Sequence, residues 1–153
     1  MSSLRDRLGR RARPQVTYSL RVEDTTAAQA AVAAAQESGD DNLIQAAQTT
    51  LSGCYEILVI TALPPQEVEE LLGRHPPADP AKKNDWPFNE ATFVPALLAA
   101  CIDSDVTEED WVEYTTKGPM SRGEVMALFD AVWSVNYRAQ DPSVPLGSTQ
   151  TPN

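Results

Sequence analysis

The sequence predicts an α+β chain that is mostly α: a two-stranded β ribbon carrying a helical hairpin, followed by a C-terminal three-helix block. Three observations predict it. Val16, Tyr18, Leu20 and Val22 alternate with Thr17, Ser19, Arg21 and Glu23, the period of a half-buried strand. Residues 55–62 form a second run, rich in β-branched side chains and too short for a helix. Residues 86–137 then lay out three short helices with their own start signals and almost nothing a catalyst could use.

The elements follow in order. Residues 1–14 are basic and lack an apolar face, so a disordered tail is expected. A strand starts at Gln15. Asp24, Thr25 and Thr26 offer N-caps ahead of AAQAAVAAAQ, a strong helix former, and Gly39 ends it. A second helix starts at Asp40 or Asp41 and carries Leu43, Ile44, Ala47 and Leu51 as one apolar stripe, breaking near Gly53. Strands flanking such a hairpin lie side by side, and a two-stranded ribbon needs helices on one face to be stable in water. Pro64 and Pro65 open a short helix over residues 66–74, with Val68, Leu71 and Leu72 facing inward.

These elements make an α+β half over residues 15–75. Residues 76–87 form a proline-rich polar connector, where a hinge or boundary is expected. The helical block covers residues 88–138. Thr107 with Asp110 and Ser121 with Glu124 have the spacing of capping boxes, in which hydroxyl and carboxylate satisfy each other's backbone N–H. Its apolar content is Phe93, Leu97, Leu98, Trp111, Val125, Leu128, Phe129, Val132 and Trp133. Residues 139–153 have no period and many turn formers, and a disordered tail is expected there too.

Charge is unevenly placed. The net value is −10, yet residues 1–13 hold five arginines against Asp6, or +4, which leaves −14 for the rest. An acidic body disfavours general nucleic-acid binding, whose affinity comes mostly from phosphate neutralisation. The arginine-rich start reads either as a solvated tail or as a contact for RNA, an acidic partner or the chain's own acidic body. No stretch approaches eighteen uninterrupted apolar residues, so no membrane span is expected, and no apolar run follows the N-terminal arginines as in a secretory signal. A cytoplasmic location follows. Cys54 and Cys101 lack CxxC spacing and read as small buried residues, not as a disulfide or metal pair.

Candidate chemistry is thin. His75, the only histidine, sits at a helix end before two prolines and has no nominated partner as a base. The run Asp103, Asp105, Glu108, Glu109, Asp110 lacks the glycine and spacing of a calcium loop and is explained by a helix N-terminus. Neither a phosphate-binding glycine loop nor a nucleophile elbow occurs. The expected catalytic, metal and cofactor sets are empty, and the chain reads as no enzyme. Trp111 and Trp133, with Phe93 and Phe129, read as the core of the block. Trp86 precedes Pro87 without a helical register to bury it, and beside Phe88 it reads as a docking anchor. Trp86, Phe88 and Phe93 are therefore the candidate partner-binding residues. A contact of that kind is apolar and should persist in moderate salt.

The run FNEATFVPALLAAC, the acidic start TEEDW, and SRGE leading through ALFDA to VN resemble the tail assembly chaperones of actinobacterial long-tailed phages and prophages. YEILVITALPPQEVEELLGRHPP, over residues 55–77, is similar to the segment that precedes this block in those proteins. The resemblance implies a non-enzymatic helper in the bacterial host that binds the tape-measure protein and recruits major tail-tube protein during assembly, with self-association also open. The alternative is a permanent virion component, such as a head–tail connector or tail terminator ring subunit.

Overall fold

The computed structural model describes residues 1–82 and 87–138. Among them the order is α1 (Leu4–Gly9), β1 (Gln15–Arg21), α2 (Thr26–Ser38), α3 (Asp41–Ser52), β2 (Tyr55–Thr61), α4 (Pro65–Arg74), a 3-10 turn (Pro80–Lys82), α5 (Glu90–Cys101), α6 (Glu108–Thr116) and α7 (Arg122–Tyr137). The chain is mostly helical, with one two-stranded antiparallel sheet, as the sequence predicts.

The ribbon's register is set at both ends. Ala62 N–H donates to the Pro14 carbonyl at 2.9 Å, and Val22 N–H to the Cys54 carbonyl at 2.8 Å. That register puts Val16 opposite Ile60 and Tyr18 opposite Leu58, all on the more buried face, as period-two alternation requires. Ile57 and Val59 lie on the exposed face.

Residues divide by contact into two units. The first, residues 17–58, holds the hairpin of α2 and α3 with the adjoining strand segments. Gly39 turns between the helices at φ 71°, a left-handed conformation that suits glycine, and the Asp40 carboxylate then caps α3 through Asn42 and Leu43 N–H. Ala28 and Ala35 are buried in α2. In α3 three of the four expected stripe residues, Ile44, Ala47 and Leu51, are half-buried, while Leu43 is 54% exposed.

The second unit joins residues 1–16 to the chain from Val59 onward. Its centre is α5, which packs on α4, α6 and α7. Because α5 is apolar on nearly every side, it buries Phe93, Val94, Pro95, Ala96, Leu97, Leu98 and Cys101. Ile60 forms an antiparallel bridge with Ile102, and Asp103 N–H donates to the Val59 carbonyl, so β2 continues into this core. Val68 and Leu71 of α4 face inward as expected, with Leu72 half-buried. Both expected capping boxes form, Thr107 with Asp110 and Ser121 with Glu124. The contact division falls inside the ribbon, not in the connector of residues 76–87, because α4 packs on α5 across it.

One element departs from expectation. Residues 4–9 form α1 inside the stretch expected to be disordered, because Ser3 and Asp6 make a third capping box. No residue of α1 is buried, so its ends, not its packing, define it. The tail expected over residues 139–153 lies outside the described residues.

Candidate functional site, an arginine-lined groove

Phe88 and Phe93, expected as partner-binding residues, are 3% and 0% exposed. Phe88 immediately precedes Asn89, the N-cap of α5, whose side chain accepts from Ala91 N–H. Phe93 is the fourth helical residue. Phe88 and Phe93 therefore occupy the two positions of a hydrophobic staple, with ring centroids 4.2 Å apart. Asn89 N–H donates to the His75 carbonyl at 2.8 Å, which holds the helix entry in place. The Phe88 ring also meets Trp133 at 5.5 Å and Phe129 at 5.8 Å. Both rings are core: for Phe93 this agrees with its reading as core beside Trp111, Trp133 and Phe129, and for Phe88 it replaces the surface anchor. Trp86 lies outside the described residues. Trp111 is buried as expected, and Trp133 is half-buried, stacked on Tyr137 at 4.0 Å.

The other candidates are held in structural contacts. His75 ends α4, and its Nδ1 lies 2.9 Å from the Thr92 hydroxyl. Cys54 and Cys101 are free and buried. Burial pushes the Cys101 thiol pKa up, partly opposed by a hydrogen bond from Asn136. The acidic run starts α6, where Asp110 accepts from Thr107 N–H at 3.0 Å. Among the described residues no group of three or more His, Cys, Asp and Glu is placed to hold a metal ion, and no helix is long and apolar enough to cross a membrane.

What remains open is a groove of about 830 Å³ within the second unit. It is lined by Leu8 and residues 11–14, by residues 62–65 between β2 and α4, and by residues 135–138 at the end of α7. The three segments are tied together through backbone and amide bonds. Pro14 and Ala62 are joined as described above. Leu63 N–H donates to Asn136 Oδ1 at 2.9 Å, while Asn136 Nδ2 donates to the Val132 carbonyl at 2.8 Å and to Cys101 Sγ at 3.4 Å. Asn136 thus anchors one wall, a role the sequence reading missed. The available signal was an amide one turn after buried Val132 in an otherwise apolar helix face.

The groove's charged side chains are Arg11, Arg13 and Arg138. Arg138 Nη2 lies 3.8 Å from Asp130 Oδ1, and both side chains are about two-thirds exposed, so this pair holds the guanidinium only weakly. Among the described residues neither Arg11 nor Arg13 has an ion-pair partner. Burial, and secondarily the charge of Glu69, raise the Tyr137 phenol pKa, so it stays a neutral hydroxyl. Three lining residues, Pro14, Pro64 and Pro65, carry no backbone N–H. A second recess of about 430 Å³ holds Glu90 and Arg122 as an ion pair at 2.6 Å.

Comparison with protein-family models, with curated proteins and with solved structures returns no match to this chain.

Proposed function

We propose that this chain is a tail assembly chaperone of a long-tailed phage or prophage. It binds the tape-measure protein and recruits tail-tube subunits while tails are built, and it catalyses no reaction. The observation that carries the reading is the sequence resemblance of residues 86–137, preceded in the same order by the similar run of residues 55–77. The reading is supported by the way these stretches fold: from Val59 onward both belong to one unit centred on α5, as a shared structural piece would. A net charge of −10 suits a protein that must keep a long, apolar-striped helical partner in solution. With Phe88 and Phe93 in the core, the contact falls on outer surfaces of the unit instead.

The test is co-expression with the tape-measure protein of the same phage or prophage. The tape-measure product should move from the insoluble to the soluble fraction and co-purify with this chain. Mass spectrometry of finished particles should find the chain missing. Stoichiometric recovery from particles would overturn the chaperone reading and favour a ring component of the virion, such as a connector or terminator subunit.

A further inference from the structure

We infer that the arginine-lined groove is a docking site for a short acidic peptide segment of a partner protein, one with carboxylates beside an apolar side chain. The inference does not rest on the tail-assembly reading.

Charge complementarity carries it. The body outside residues 1–13 is −14, yet the groove lining contains three arginines and no acidic residue. Arg11 and Arg13 sit with their guanidiniums unpaired among the described residues. A guanidinium presents a planar fork of donors that matches a carboxylate in two parallel bonds. The groove thus offers donors in excess and lacks the acceptors to satisfy them.

The surrounding surface narrows the occupant. Leu8 is exposed at one wall, and Leu63 contributes apolar surface between β2 and α4, so a bare phosphate would leave this surface uncovered. A volume of about 830 Å³ lies within the roughly 300–1,000 Å³ range of ligand clefts, enough for a few side chains. A nucleic acid would carry its phosphates out of the groove and over the acidic body, where repulsion opposes binding. A short peptide with two or three carboxylates meets Arg11 and Arg13 without extending over the acidic body, opposed locally by the charge of Glu69 that acts on Tyr137. Along residues 62–65 no backbone donor is free, since Ala62 and Leu63 N–H are already bonded and Pro64 and Pro65 have none, so a peptide against that wall is held by its side chains and not by strand pairing.

The experiment uses the full chain, immobilised, to select from a random peptide library of about twelve residues, a length that exceeds what the cleft can cover. Selected peptides should be enriched in Asp and Glu with an adjacent Leu, Ile, Val or Phe. The enriched peptide, synthesised and labelled, should bind with an anisotropy signal that weakens roughly tenfold or more for R11Q/R13Q, as loss of charge-assisted contacts implies. It should also weaken several-fold between about 50 and 300 mM salt. Both arginines are exposed, so circular dichroism of R11Q/R13Q should match the wild type. Lack of acidic enrichment, or equal binding to R11Q/R13Q, overturns the proposal. Tighter, arginine-dependent binding of a thymidine oligonucleotide of the same length would overturn it in favour of a nucleic-acid site.

Discussion

Replacing Phe88 with alanine tests the placement of the staple. The ring is 3% exposed and lies 4.2 Å from Phe93, 5.5 Å from Trp133 and 5.8 Å from Phe129, centroid to centroid. Truncating a buried phenylalanine costs roughly 3–5 kcal/mol. Aromatic pairing adds about 0.5–1.5 kcal/mol per well-oriented pair beyond buried area, which places this site toward the upper part of that range. Domains have only about 5–15 kcal/mol in total, so the variant should lose a large share of its stability. At roughly 2–4 °C per kcal/mol for a chain of this size, the melting midpoint should fall by about 6–20 °C. Urea unfolding followed by far-UV circular dichroism gives the free energy, and near-UV dichroism reports the aromatic cluster. Phe88→Leu should fall between the two, since it keeps most of the apolar volume. Val112→Ala is the control, because Val112 is 41% exposed and should change stability by no more than about 0.5 kcal/mol. If Phe88→Ala behaves like Val112→Ala, the ring is not in the core and the surface-anchor expectation returns.

Further predictions concern the caps, one glycine and two titrating groups. Thr107→Ala and Ser121→Ala should each cost about 0.5–2 kcal/mol in urea unfolding, because each hydroxyl accepts the third N–H of its helix. Gly118→Ala should cost roughly 1–3 kcal/mol by thermal melting, since a Cβ there would lie 2.6 Å from Tyr114 Cα and 3.0 Å from two carbonyl oxygens; an unchanged midpoint would contradict that close approach. The Asp24 carboxylate accepts from Thr26 N–H and its hydroxyl, and the backbone bond first of all holds its pKa below the ordinary value. Its contribution is therefore present above the unfolded-state pKa and lost as pH falls through the folded one; carbon NMR titration reads the pKa, and Asp24→Asn should flatten that acid limb. Cys101, raised by burial, binds its proton longer in the folded state, so stability should decline as pH rises past the ordinary thiol range, and a thiol reagent should modify it slowly until the chain unfolds.

Where one local rule decides the structure, the sequence is legible. Alternation over residues 15–21 sets both β1 and its inward face, and Gly39 with Asp40 sets the turn of the hairpin and the start of α3. The capping boxes at Thr107 and Ser121 mark two helix starts to the residue. The same motif at Ser3 escapes because the helix it starts has no apolar face to bury, so no hydrophobic period marks it. Leu43 escapes for the converse reason. Its spacing fits the stripe, but one side of α3 is too narrowly covered to take all four residues. The unit boundary is less legible still, since it depends on α4 reaching α5 across the proline-rich stretch, a contact no local pattern encodes.

The site shows a deeper version of the same limit. Phe88 and Phe93 read as docking residues while Trp86 and its neighbours are taken as connector, but F-N-E-A-T-F is also a staple written around an asparagine cap. Read as a staple, it sends both rings inward and takes Phe88 and Phe93 off the surface. The groove that remains is assembled from residues 11–14, 62–65 and 135–138, which are separate in sequence and meet only through Pro14, Ala62, Leu63 and Asn136. Its cations come largely from the arginine-rich start, which the sequence left open between solvated tail and partner contact. This change of surface reverses an expected response. Binding through a tryptophan and phenylalanine would persist in moderate salt, whereas binding through Arg11 and Arg13 must weaken as ions screen it. Salt dependence of the peptide complex therefore separates the two surfaces without any substitution, and a complex unaffected by salt would point back to an apolar contact.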